Sequence, residues 1–146
     1  MVKISVVVPT LNEEKCIHEC LESLTNQTIP RKDYEIIVSD GGSTDRTLKI
    51  AKKYADRIVL SKNIGISVGI NAGIRKARGE IIAIIHADSI CPPFWLERII
   101  KNLQENDVVY GPALCDTKKY PRKRLMVYNI TMLCWFKLGG KLGRAI

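Results

Sequence analysis

The sequence predicts an α/β fold in which α/β/α layers are built around a mostly parallel central sheet. Strand-like and helix-like segments alternate at short intervals as far as Gly111, an order typical of parallel sheets covered by helices on both faces. The most apolar run lies at 81–85, so we expect it in the middle of the sheet. Strands are predicted at 4–8, 35–38, 57–60, 81–85 and 107–110, and helices at 13–24, 44–54, 67–76 and from Pro93 onward.

Each element has its own local signal. The first strand is rich in valine and ends at a proline, and the first helix carries three aliphatic residues at helical spacing. The second strand ends in an Asp-Gly-Gly turn, after which Ser43 is the predicted N-cap of the second helix. The third helix is weaker because it contains Gly69 and Gly73. Pro93 suits the start of the fourth helix.

Composition limits the class of protein. With 146 residues, 46% hydrophobic and 26% charged, the chain suits one well-buried domain. The net charge of +8 favours an anionic partner, such as nucleotide phosphates, anionic lipid or nucleic acid. Nothing besides the charge supports nucleic acid, so nucleic-acid binding is not predicted. We find no signal peptide and no apolar run of membrane-spanning length. A cytoplasmic protein, with peripheral membrane contact as an option, is the expectation.

The cysteines support a reducing compartment. There are five, an odd number with no CxxC pair, which argues against a disulfide framework. Cys16 and Cys20 share a helix face while His18 points elsewhere, so packed thiols are favoured over a metal site.

Polar residues follow the first two predicted strands. Thr10 and Glu13 have capping-box spacing, and the same turn suits a nucleoside at a helix N-terminus. Asp40, with Gly41 and Gly42, suits hydrogen bonding to a base or ribose, although a plain Asp-Gly turn looks similar. Taken alone, the first turn favours the cap, whereas the second turn favours neither interpretation over the other.

The sharpest motif is His86-Ala87-Asp88, directly after the most apolar strand. A carboxylate there is costly unless it is hydrogen-bonded, exposed or bound to a cation. Mg²⁺ usually takes one or two protein carboxylates together with phosphates. We therefore favour a divalent cation at Asp88 over a cap on the turn at Ser89.

Together these stretches resemble the family 2 glycosyltransferases, which have the GT-A fold, a Rossmann-like α/β/α arrangement. The likeness keeps the family's order from Lys3 to Pro112. It comprises the opening strand and Asn-Glu turn (4–14), the Asp-Gly-Ser turn (39–45), the segment before the central strand (71–80) and His86-Ala87-Asp88 at the Asp-x-Asp metal motif.

The resemblance implies a set of site residues. It implies that a nucleotide sugar contacts Pro9, Thr10, Asn12, Glu13, Asp40, Gly41, Gly42, Asn71 and Ala87, and that Asp88 and His86 bind Mn²⁺ or Mg²⁺. His86 stands where many members have the first Asp, although a subset carries His-Ala-Asp. Ile70 stands where Arg is frequent, and we expect Arg75, Arg78 or a lysine to replace that contact.

Two segments are predicted. Residues 1–112 form the nucleotide-sugar-binding GT-A domain, and 113–146 form a basic and apolar helical segment belonging to an incomplete acceptor side. The region 118–138 suits either an interfacial helix near a lipid-linked acceptor or a helix that packs on further sequence.

The implied activity is metal-dependent transfer of a sugar from a UDP- or GDP-linked donor to an unidentified acceptor, with inversion. The catalytic residue stays unassigned, because Asp116 is the only carboxylate between Asp107 and Ile146 and no motif supports it. A truncated transferase is one expectation. The alternative is a nucleotide-binding module or subunit without catalysis.

Overall fold

The computed structural model describes residues 2–61, 65–111 and the backbone of 133–137. The strands are β1 (Ile4–Thr10), β2 (Tyr34–Asp40), β3 (Arg57–Leu60), β4 (Ile81–Ile84), β5 (Val108–Gly111) and β6 (Leu133–Lys137). The helices are α1 (Ile17–Thr25), α2 (Thr47–Ala51), α3 (Ile66–Ile74) and α4 (Trp95–Asn102), with a short 3₁₀ turn at Arg31–Asp33.

One six-stranded sheet organises the chain, in the order β3-β2-β1-β4-β6-β5. The first four strands in that order are parallel, whereas β6 runs antiparallel to both β4 and β5. Thr10 of β1 pairs in register with Asp40 of β2. The carboxyl ends of β1 and β2 therefore lie side by side, which is where ligands of parallel sheets bind.

Helices cover both faces of the sheet. Alternate residues of β1 point to opposite sides, so that Val6 and Val8 join the larger core while Val7 belongs to a separate cluster. The larger core includes buried residues of α1, α2 and α4, and the smaller one is packed by Ile70 and Ile74 of α3. The predicted α/β/α layering is confirmed.

The strands agree with their predicted positions more closely than the helices do. Each of the five predicted strands is present within two residues at either end. The second helix is shorter than the predicted 44–54, and Ser43 is not its N-cap. The Ser43 hydroxyl donates to Asp40 instead, which keeps residues 43–46 in a loop.

The prediction of a helical segment at 113–146 is wrong at Leu133–Lys137, which form β6. Trp135 and Phe136 are residue types that favour strands, and β6 completes the pairing of β4, which would otherwise be a sheet edge. The rest of that segment, including most of 118–138, lies outside the described residues. The boundary at residue 112 stays a prediction.

Two further expectations concern helices and thiols. In the part of the chain that the structure describes, no helix is long and apolar enough to cross a membrane. Cys20 and Cys91 are free and buried, and burial raises the pKa of the Cys20 thiol to about 12. The preference for packed thiols, which concerned Cys16 and Cys20, is confirmed at Cys20, whereas Cys16 is half-buried.

Candidate functional site

A cleft of about 270 Å³ lies at the carboxyl edge of the parallel strands, between the ends of β1, β2 and β4 and the start of α3. The residues that follow β1 and β4 both line it, as expected for neighbouring parallel strands whose carboxyl ends lie side by side. Most of the predicted site residues line this cleft, namely Pro9, Thr10, Glu13, Gly41, His86, Ala87 and Asp88. Asn12, Asp40, Gly42 and Asn71 are not part of its lining.

Asp40 is fully buried at the end of β2 and already has hydrogen-bond partners on both carboxylate oxygens. Oδ2 accepts from the backbone N–H groups of Gly42 and Ser43, each at 2.8 Å. Oδ1 accepts from the hydroxyls of Ser43 at 2.5 Å and Thr10 at 3.3 Å. All four acceptor positions of the carboxylate are therefore used, and a contact between Asp40 and a nucleoside would replace one of these bonds.

The loops after β1 and β2 are joined to each other by hydrogen bonds. Three consecutive backbone N–H groups of the first loop donate to side-chain oxygens of the second loop and of the first residue of α2: Asn12 to Ser43 Oγ (2.9 Å), Glu13 to Thr47 Oγ1 (2.8 Å) and Glu14 to Asp45 Oδ2 (3.1 Å). The capping-box interpretation of Thr10 and Glu13 is wrong, because Thr10 donates to Asp40 and α1 begins only at Ile17. We call the three hydrogen bonds donated by the amides of Asn12, Glu13 and Glu14 the loop clasp.

Asn12 and Gly42 give the loop clasp its backbone shape. Asn12 has a positive φ of 55° and Gly42 one of 98°, conformations that asparagine and glycine adopt more readily than other residues. The Asn12 side chain also accepts from the Thr44 backbone N–H at 2.9 Å. Both residues therefore shape the wall of the cleft without lining it.

The β4 side of the cleft is acidic. Burial raises the pKa of the Glu13 carboxyl, and the nearby charges of Asp88 and Asp45 raise it further. Asp88 is exposed, and the Ser89 hydroxyl donates to its Oδ1 over a long distance of 3.4 Å. The Ser89 N–H bonds to the His86 carbonyl at 3.1 Å, so Asp88 does not cap that turn.

These acidic groups suit a cation whose remaining ligands come from a bound phosphate. Among residues 2–61 and 65–111, no three side chains of ligand type come together to hold a metal ion. Asp88 has acceptor positions to offer, and its carboxylate lies close enough to that of Glu13 to add to the effect of burial in raising the Glu13 pKa. A cation near both carboxylates would reduce the repulsion between them. The residues present therefore fit a divalent ion shared with a diphosphate.

The replacement cations expected near Ile70 are placed elsewhere. Arg78 binds Glu35 at the opposite end of the sheet, with Nε to Oε2 at 3.0 Å. Arg75 follows the last turn of α3, whose first turn is the part that borders the cleft. Arg75 is six residues beyond Gly69, the last residue of α3 that lines the cleft, which is about 9 Å along the helix axis at 1.5 Å of rise per residue. Arg78 does not replace the missing contact because it binds Glu35, and neither Arg75 nor the exposed Asn71 lines the cleft.

The family model described as "Glycosyl transferase family 2" matches residues 5–144 of this chain. The chain belongs to this family. It is 43% identical over 93 residues to the poly(ribitol-phosphate) beta-glucosyltransferase of Bacillus spizizenii, an alignment covering 59% of this chain and 15% of the relative. It is 36% identical over 125 residues to the putative glycosyltransferase EpsH of Bacillus subtilis, covering 80% of this chain and 36% of that protein.

A solved structure supports the same fold. The crystal structure of Staphylococcus aureus TarS 1-349 in complex with UDP-GlcNAc aligns with a TM-score of 0.70 at 25% identity, covering 94% of this chain and 46% of that one. The predicted GT-A fold is confirmed. This family 2 chain therefore spans less than half the length of each of these relatives.

Sequence reasoning missed several residues of the cleft, namely Leu11, Ser39, Ser61, Gly65, Ile66 and Gly69. Ser39 could have been recognised from the sequence, because it is a polar residue next to Asp40 on a strand whose alternate residues face α3. The residues that α3 contributes to the cleft could not be predicted from the sequence, because they depend on how that helix packs across the ends of β1 and β2.

Proposed function

We propose that this chain is the donor-binding part of a metal-dependent glycosyltransferase that uses a nucleoside-diphosphate sugar. The observation that carries the proposal is the cleft at the carboxyl edge of the sheet, where Glu13 after β1 and Asp88 after β4 lie near each other and the loop of Asp40 follows β2. A nucleoside diphosphate joins an anionic group to a planar base, which suits a cleft with one acidic, cation-binding side and one neutral side.

We propose that Asp88, with His86 beside it, holds Mn²⁺ or Mg²⁺ on the diphosphate. The ion supplies a Lewis acid that neutralises charge on the leaving nucleoside diphosphate. The protein's own contribution is to orient the donor. The loop clasp holds the wall formed by Thr10 and Gly41, and the β4 turn places Asp88 beside Glu13.

The relatives support a sugar nucleotide as the ligand class. TarS was solved with UDP-GlcNAc, and the matched relatives carry glycosyltransferase names. The base and the sugar of the donor of this chain are proposals within the UDP- or GDP-linked class. Transfer with inversion to an acceptor, lipid-linked or otherwise, rests on the family resemblance.

A direct test is calorimetric titration of UDP and GDP in the presence of Mn²⁺ and Mg²⁺. We expect Asp88→Ala to lower metal-dependent nucleotide affinity at least about 10-fold, because a carboxylate on a shared cation contributes more than a neutral hydrogen bond. Glu80→Ala is the matched control, since Glu80 is an exposed acid preceding the same strand at its opposite end. Equal affinities for wild type and Asp88→Ala would contradict the metal assignment.

A second candidate is a nucleotide-binding module without catalysis. The observation that favours it is that Glu13 and Asp88 are the only carboxylates lining the cleft within the described residues, and both face the proposed cation. This candidate predicts nucleotide binding without turnover. Sustained release of nucleoside diphosphate that depends on an added acceptor preparation would exclude it.

A further inference from the structure

The connection between β4 and α4 carries Asp88 and has no regular structure of its own. Residues 85–94 form neither a helix nor a strand, so their backbone N–H and C=O groups need partners from elsewhere in the chain. Asp88 itself is exposed, and the Ser89 hydroxyl lies 3.4 Å from its carboxylate. The place of this carboxylate therefore depends on what holds the backbone around it.

Two residues of α1 bind that backbone, one on each side of Asp88. The Cys20 thiol donates to the His86 carbonyl at 3.5 Å, two residues before Asp88. The Ser23 hydroxyl accepts from the Cys91 backbone N–H at 3.0 Å, three residues after Asp88. Residues three apart in a helix lie on the same face, so a single face of α1 makes both contacts.

The His86 carbonyl anchors the turn that contains Asp88. It accepts from the Cys20 thiol and also from the Ser89 backbone N–H at 3.1 Å, and the second bond closes the turn. A carbonyl oxygen has two lone pairs, and here each has a donor. Ala87, between His86 and Asp88, is buried. The start of this turn is therefore fixed by bonding and by packing together.

The Ser23 hydroxyl is fixed in its direction. It donates to the Cys20 carbonyl at 2.7 Å while it accepts from Cys91. Because the hydroxyl hydrogen is used inside α1, the oxygen presents its lone pairs to the connection. Ser23 thus serves as an acceptor for the N–H of Cys91, a residue whose side chain lies in the core.

Gln27, just after the end of α1, continues the same contact toward α4. Its Nε2 donates to the carbonyls of Ser23 and Pro92, both at 3.0 Å, and its Oε1 accepts from the Leu96 backbone N–H at 3.0 Å. The connection is therefore bound to the region of α1 from its beginning to the first turn of α4.

We propose that Cys20 and Ser23 are positioning residues for the cation at Asp88. They hold the backbone on both sides of that residue and so fix where its carboxylate meets the ion, and groups that orient a metal ligand in this way affect metal affinity without touching the metal. This inference rests on the proposed donor-binding function. It extends the site to a helix whose residues lie outside the cleft lining.

The first test is Ser23→Ala, with UDP and GDP titrated by calorimetry in Mn²⁺ and, separately, in EDTA. We expect the variant to bind the nucleotide that wild type prefers about 3- to 10-fold more weakly in Mn²⁺, as for one lost hydrogen bond, and equally well in EDTA. Ser23→Thr keeps the hydroxyl and should restore the affinity. Thr25→Val is the matched control, because the Thr25 hydroxyl makes the same kind of bond inside α1, to the Glu22 carbonyl at 2.8 Å.

A role in stability alone would lower the melting temperature of Ser23→Ala and leave its affinity in Mn²⁺ at the wild-type value. That result would overturn the inference, with the proposed function left standing. An equal loss in Mn²⁺ and in EDTA would also overturn it, because the effect would then not pass through the cation. Failure of the wild-type chain to bind any nucleotide would overturn both.

The second test combines each change with Asp88→Ala. Cys20→Ala removes the other contact and should also weaken binding in Mn²⁺, by less than Ser23→Ala because a thiol is a weak donor. On the Asp88→Ala background, we expect neither change to weaken binding further, since both act through Asp88. Losses that add to that of Asp88→Ala would show that α1 affects the cleft by another route and would overturn the inference.

Discussion

Strand β2 carries a buried carboxylate at each end, and the two are stabilised in different ways. Asp40, at the carboxyl end, is held by two backbone N–H groups and two hydroxyls, all of them neutral. Glu35, beside the amino end, is bound by the guanidinium of Arg78 at 2.9 Å and lies 4.0 Å from that of Arg57. Both carboxylates are at most 1% exposed.

The difference separates a group that shapes the site from one that holds the fold. Glu35 joins β2 to the turn before β4, because Arg78 also donates to it through its backbone N–H at 2.8 Å. That turn packs so closely on β1 that a Cβ on Gly79 would lie 2.6 Å from the Ile4 carbonyl carbon. Asp40 contacts its own loop and the adjacent Thr10, so its bonds shape the wall of the cleft.

The largest effect is expected at the amino end. Glu35→Ala leaves the Ser5 hydroxyl and the Arg78 N–H with fewer partners, and we expect the free energy of unfolding to fall by ~3 kcal/mol, less than for a fully buried ion pair because Arg78 is partly solvated. Urea denaturation measures this change. Nucleotide affinity of the folded protein should be unchanged. A tenfold loss of affinity would show that the two ends are coupled.

An intermediate effect is expected at Asp40. Asp40→Asn places an amide NH₂ among groups that are themselves donors, so at least one donor loses its acceptor, and the free energy of unfolding should fall by ~2 kcal/mol. Because the loop then changes shape, we expect nucleotide affinity to fall about 10-fold or more. Denaturation and calorimetry on the same preparation measure both quantities.

Glu35→Gln is the matched control for Asp40→Asn, since it makes the same chemical change at the other end of β2. It should lower stability while leaving nucleotide affinity within about twofold of wild type. If the two amide variants lost nucleotide affinity equally, the assignment of Asp40 to the cleft and of Glu35 to the stability of the fold would be wrong.

The smallest effect concerns pH. Burial alone would raise the pKa of Glu35, but hydrogen bonds from Ser5 and Arg78 and the charge of Arg78 lower it below its usual 4.5. The folded chain therefore binds this proton more weakly than the unfolded chain. The resulting stabilisation is complete above the unfolded pKa and is lost as pH falls from 4.5 through the folded pKa.

Denaturation curves of wild type and Glu35→Gln at several pH values check this sign. We expect the difference in unfolding free energy between them to be constant near neutral pH and to become smaller as the pH falls below 4.5. A difference that grows on acidification would show that the Glu35 pKa is raised in the folded state.

The sequence predicted the parallel strands well because their apolar runs are long and end at turn residues. It overestimated the second helix because Ser43 and Asp45 use their side chains in the loop clasp and at Thr47. It missed the antiparallel strand β6, whose pairing with β4 and β5 depends on tertiary structure.

The candidate site was predictable only in part. Asp40 and Asp88 belong to local motifs, so their positions at strand ends followed from the alternation of elements. The pairing of Glu35 with Arg78 joins residues 43 apart in the chain, and no spacing rule connects them. The close approach of Gly69 to Pro9 and Ser39 depends on how α3 lies against β1 and β2, and the sequence alone showed only a glycine that weakens a helix.

The loop clasp has a mechanical consequence. Because three successive amide groups of one loop are tied to side chains of the other, a displacement of either loop has to carry the other with it or break several bonds together. The two loops therefore form one rigid wall of the cleft. An adjustment to a bound molecule costs fewer hydrogen bonds in the parts of the lining that lie outside the loop clasp, such as the start of α3.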